Sequence, residues 1–170
     1  MNKTRKTVLL AILVSQALVL SIIESGIPVP VPVYGVKLGL ANIITIIVIV
    51  FFGLRETIAV VLARTILSSV FAGQGLSYFL FSIAGGLLSA AVMSLLYKSR
   101  PGLFSITGIS LAGAVAHNIG QIIVAGIIMK DFAVAIYLPV LLVSGCITGF
   151  FVGLVSNFLK NALEKAKVFT

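Results

Sequence analysis

Long apolar runs, broken by short polar or glycine-rich stops, organise this sequence. Six can be drawn, at about 7–23, 36–52, 56–71, 76–97, 103–129 and 132–159. The stops between them include Glu24-Ser25-Gly26, Gly53-Leu54-Arg55, Gly73-Gln74-Gly75, Lys98-Ser99-Arg100-Pro101-Gly102 and Lys130-Asp131. Continuous runs of this length predict helices, whereas a β-barrel would alternate apolar and polar residues over ~10-residue segments. A helix needs about 20 residues to cross a bilayer. The second and third runs are short, so they are expected to tilt little or to begin inside the protein. Pro28, Pro30 and Pro32 follow the first run at alternate positions and forbid a helix there. They predict a stiff extended loop folded back on the bundle. Pro139 is expected to kink or delay the last helix. The segment 161–170 reads as a short amphipathic cap, and residues 1–170 read as one domain.

Composition turns this pattern into a class. Of 170 residues, 60% are hydrophobic and only 9% charged, against about 25% charged in a soluble domain. Mean hydropathy is +1.25. The chain therefore reads as an all-α integral membrane protein, a bundle of six transmembrane helices. The basic start (Lys3, Arg5, Lys6) is read as leading into the first membrane helix and not as a cleaved signal. Net charge is +8, but the basic residues sit at segment ends, where they set topology and do not suggest nucleic acid. With the N-terminus inside, Lys3, Arg5, Lys6, Arg55, Lys98, Arg100, Lys160, Lys165 and Lys167 are all cytoplasmic. Only Lys37 and Lys130 fall outside. This bias predicts six spans with both termini in the cytoplasm, in a bacterial cytoplasmic membrane. Cys146 is the only cysteine, which rules out an intrachain disulfide.

Polar residues within the apolar runs are the candidate chemistry, because lipid offers them no hydrogen-bond partner. Arg64 lies near the middle of the third run, about equally far from both ends. A central arginine costs about 2.5–3.5 kcal/mol on insertion scales, so inward pairing or substrate contact is expected. Glu24 is a candidate partner if it folds inward; otherwise it is a solvated helix end. Lys37 and Asn42 open the second run. Lys37 is either a binding cation or an interfacial lysine, and Asn42 either a binding amide or an interhelical hydrogen bond. In the fifth run, His117, Asn118 and Gln121 are spaced to share one polar face. They line a cavity or stitch helices together. Ala11 and Ser15 make a small-residue stripe on the first helix that is suited to packing or to docking a membrane partner.

One Asp and three Glu cannot supply the acidic clusters that hold Mg²⁺ for diphosphate chemistry. No P-loop appears, so ATP would have to be used by another chain. No catalytic residue, resident metal or cofactor is expected.

Two stretches suggest a family. Gly35-Val36-Lys37-Leu38-Gly39-Leu40-Ala41-Asn42-Ile43 and Gly113-Ala114-Val115-Ala116-His117-Asn118-Ile119-Gly120-Gln121 resemble signatures of the bacterial heptaprenyl diphosphate synthase component I family, also called Gx transporters. The resemblance extends through 81–94 and 138–153. Its name implies a noncatalytic membrane partner of a soluble prenyl diphosphate synthase in isoprenoid or menaquinone synthesis. Size, span number and topology also resemble the substrate-binding S components of energy-coupling factor transporters. That likeness implies a small polar or anionic ligand bound near the outer face by Lys37, Asn42, Arg64, His117, Asn118 and Gln121. Residues 28–34 would cover the site. Ala11 and Ser15 would dock a transmembrane coupling subunit, with separate ATPases driving uptake.

Overall fold

A computed structural model describes residues 2–27, 39–72, 75–99 and 102–169. Among these residues the chain is all-helical. Helix α1 is Lys3–Ser25, α2 Asn42–Phe51, α3 Leu54–Ala72, α4 Gly75–Ser99, α5 Ile106–Met129 and α6 Leu138–Lys165. A 3-10 helix, Phe132–Tyr137, leads into α6. α1, α4, α5 and the 132–165 segment are each long and apolar enough to cross a membrane. The protein is membrane-embedded.

Local chemistry explains where the boundaries moved. The second helix starts at Asn42 because Gly39 has a φ of +90°, outside the helical region, and residues 39–41 form a turn. The fifth starts at Ile106 because the Ser105 hydroxyl accepts from the Gly108 N–H at 3.0 Å, an N-cap. Pro139 delays the last α-helix, as its position implied: the 3-10 turn comes first and the proline occupies the first turn of α6. The last helix continues through Lys165 before the chain turns.

α2 is the axis of the bundle. It touches each of the other five helices, which follow one another around it in the order α1, α3, α4, α5, α6. Burial agrees, for seven of its ten residues are buried. Ile44, Ile47 and Val48 pack against Leu13 and Ala17 of α1 and Val60 of α3. Ile46 and Ile49 pack against Met93, Ile109 and Val152. At 10 residues it rises only about 15 Å, half of a ~30 Å hydrocarbon core.

The two ends of the bundle differ. At one, here the near end, Lys6 pairs with Glu56 and Arg5 donates to the Val168 carbonyl at 2.9 Å. Phe169 stacks on Phe51 (4.3 Å between centroids) and meets Phe52 edge-on (5.3 Å). Helix directions alternate from there, which also brings Arg55, Lys98, Lys160, Lys165 and Lys167 to the near end. α2 begins at mid-depth and runs down to the near end. The far half of the bundle therefore lacks a central helix among the described residues.

Candidate functional site

The residues around that far half are polar and buried. Three helices contribute at a similar depth. Asn42 lies nine residues above the near end of α2, Arg64 ten residues above that of α3 and His117 eleven above that of α5. At 1.5 Å per residue these are heights of about 14, 15 and 17 Å. The three residues are 3–4% exposed.

Arg64 is fixed from two sides. Its Nη1 donates to the Ser21 hydroxyl of α1 at 3.1 Å. On the other side it presses on Gly86 of α4, where an added Cβ would lie 3.2 Å from Nη2. Its neighbour Gly85 takes the His117 ring the same way, with Nδ1 3.0 Å from an added Cβ. The Gly85-Gly86 pair thus lets an arginine and a histidine from different helices approach consecutive positions of α4. The signal in the sequence was the glycine pair itself, which reads as ordinary helix packing until its partners are known.

α1 links this group to the start of α2. Glu24 is one turn from Ser21, on the same buried face. It is 3% exposed, and its carboxylate accepts the Gly39 N–H. Gly39 in turn lies against the Asn42 amide. Of its two readings, the inward one describes the structure. Ser21, Gly85 and Gly86 are therefore site elements that side-chain chemistry along the sequence did not single out, whereas Glu24 was among its candidates.

α5 separates two residues expected to act together. His117 faces α4, but Asn118 turns to α6, where its Nδ2 donates to the Leu141 carbonyl at 2.6 Å. Adjacent helical residues project 100° apart, and α4 and α6 flank α5 on different sides. Asn118 is thus an interhelical stitch in this structure. Gln121 projects about 40° from His117, between those two directions and toward the bundle axis. It is fully buried, and neither end of its amide has a hydrogen-bond partner. Phe81, Ala125 and Val134 form an apolar cluster one turn farther along the α4–α5 seam.

The remaining expected residues are placed simply. Lys37 and the expected covering loop 28–34 lie outside the described residues. Ala11 and Ser15 are exposed on α1, and the Ser15 hydroxyl is satisfied by the Ala11 carbonyl at 3.0 Å. Their face carries no unmet polar group from this pair.

The family described as heptaprenyl diphosphate synthase component I matches residues 13–159. The chain belongs to that family. The component I match begins inside α1 and ends inside α6, so it covers every residue of the buried polar group. Searches of curated proteins and of solved structures gave no match.

Proposed function

We propose that this chain is a membrane binding protein that holds a small molecule with an anionic group in the far half of its bundle. The observation that carries the reading is Arg64: a guanidinium 4% exposed, in mid-bundle, anchored to Ser21 and set at the depth where the central helix stops. A buried cation is retained against a desolvation cost of several kcal/mol only where charge or hydrogen bonds offset it. The start of α2 opens toward the same region and contributes a positive helix end. His117 and the amides of Asn42 and Gln121 supply orienting hydrogen bonds. In this reading α2 and α3 complete six passes through a bacterial cytoplasmic membrane, with both termini cytoplasmic and the site opening outward. The basic residues gathered at the near end support that orientation.

The arrangement resembles an S component of an energy-coupling factor transporter. Ala11 and Ser15 would then meet a transmembrane coupling subunit, and ATPases would supply energy. The test is binding by the purified protein in lipid nanodiscs. Anionic probes should bind, and Arg64→Met should weaken them about 100-fold, the range of a lost charge-assisted pair. Unchanged binding in Arg64→Met sinks the proposal.

A second reading rests on the family description. The chain would be a noncatalytic membrane partner of a soluble heptaprenyl diphosphate synthase. The small acidic inventory supports noncatalytic, since the chain has four Asp and Glu in all. Co-purification with a soluble prenyl synthase, and altered product length or rate when this chain is added, would favour it over the first.

A further inference from the structure

Gln121 and Asn42 carry information about the ligand that Arg64 does not. Gln121 is 0% exposed, and both its Oε1 and its Nε2 lack partners. Asn42 is 3% exposed, and its Oδ1 lacks one as well. A buried amide left unpaired costs about 1–3 kcal/mol at each orphaned group. Natural interiors keep few such groups, and each one asks for an explanation. Packing provides none here. Asn118, three residues from Gln121 and equally apolar in its setting, has found the Leu141 carbonyl.

The orphaned atoms have a definite polarity. Gln121 offers one acceptor and one donor group whichever way its amide is turned. Asn42 offers its Oδ1 as an acceptor in the orientation this structure gives it. Two acceptors require hydrogen-bond donors on any group that meets them. A diphosphate or carboxylate presents acceptors only, so it can meet the Gln121 Nε2 but leaves both amide oxygens unmet. The two amides differ in height by about 9 Å along the bundle axis, the span of one substituted or fused ring.

We infer that Gln121 and Asn42 read a ligand edge that places N–H donors beside a carbonyl, as on a lactam, cyclic imide or pyrimidinedione ring. This rests on the anion site proposed above and names the other end of the same ligand. The carbonyl accepts from Gln121 Nε2, one N–H donates to Gln121 Oε1, and a second donor reaches Asn42 Oδ1. The unpaired Ser82 hydroxyl, on α4 and level with Gln121 in the antiparallel register set by the Gly85–His117 contact, can take either role. Isoprenoid diphosphates are disfavoured as occupants by the same count.

The experiment uses the full chain in nanodiscs and three probes. Orotate carries a carboxylate and a pyrimidinedione edge. Its 1,3-dimethyl derivative keeps the charge and ring but has no ring N–H. Geranyl diphosphate is an acceptor-only anion. Orotate is expected to bind at least about tenfold tighter than the dimethyl compound, because a site built to pair polar groups rejects an analogue lacking them. Gln121→Met should abolish that preference without lowering the ligand-free melting temperature, since it removes a buried unpaired amide. Three results overturn the inference: equal binding of the two orotates, a preference for geranyl diphosphate that survives Gln121→Met, or a clear drop in melting temperature in that variant. Any of them can coexist with Arg64-dependent anion binding, in which case the parent proposal stands. No binding of any probe at millimolar concentration overturns both.

Discussion

The two halves of this bundle share helices but not chemistry. In the near half, α2 fills the axis with Ile46, Ile47, Val48 and Ile49, all buried, and Phe169 seals the end against Phe51 and Phe52. In the far half the same axis is bordered by Asn42, Arg64, His117 and Gln121, also buried. The near half is what a stable membrane bundle needs. The far half gives up apolar contact for groups that are costly to bury, and one of them, Gln121, has no partner at all. Such an asymmetry teaches where to look for function. Buried serine hydroxyls of the near half (Ser94, Ser110 and Ser156) also lack partners, so what sets the far half apart is the kind of group buried there: amides, a guanidinium and an imidazole.

That contrast can be broken most severely at Arg64. Arg64→Met should lose about 100-fold in anion affinity, read by titration in nanodiscs, while near-half packing is untouched. Next comes the α4–α5 seam. At Gly120 an added Cβ would lie 2.9 Å from the Ala84 carbonyl oxygen and 3.1 Å from Gly85 Cα. These are backbone atoms that cannot swing away. Gly120→Val should cost about 3 kcal/mol or more as overpacking, measured as loss of melting temperature and of folded yield. Asn118→Leu sharpens the comparison between neighbours. Removing the bond to the Leu141 carbonyl should cost about 1–2 kcal/mol of stability and leave ligand affinity unchanged, whereas Gln121→Met should do the reverse. If Asn118→Leu instead weakens binding, α6 belongs to the site.

Smaller effects are expected at the near end. Phe169→Ala removes a stacked and an edge-on ring contact and should cost about 1–2 kcal/mol, with binding retained; altered binding would show that the two halves are coupled. The Lys6–Glu56 pair is half-exposed, its side chains being 39% and 22% accessible. Lys6→Ala should therefore cost under about 1 kcal/mol and less still at high salt.

Much of this was legible along the chain. The positions of the helices follow from apolar runs bounded by glycine, proline and charge, which act locally. Pro139 acted where it stands, because a missing N–H is a local fact. The gathering of basic residues at one end follows from run lengths and alternation alone. The inward reading of Arg64 also needed only its depth, since an arginine equally far from both ends of a helix has no near interface to reach. Asn118 shows the limit. His117 and Asn118 are adjacent in sequence and similar in chemistry, yet one faces α4 and the other α6. Spacing says that residues share a region of a helix, but not which neighbour stands opposite.

Hydropathy and spacing along the chain set the class of protein, the approximate helices, their alternation and the polar residues that had to be accounted for. Those features depend on hydropathy, charge and backbone restriction, which each residue carries with it. It took the packed bundle to show that α2 stops at mid-depth on the bundle axis, that Gly85 and Gly86 bring Arg64 and His117 to one place, that Glu24 turns inward to Gly39, and that Gln121 is left unpaired. Those features depend on contacts between segments up to about 100 residues apart, fixed by how helices of particular shape fit together.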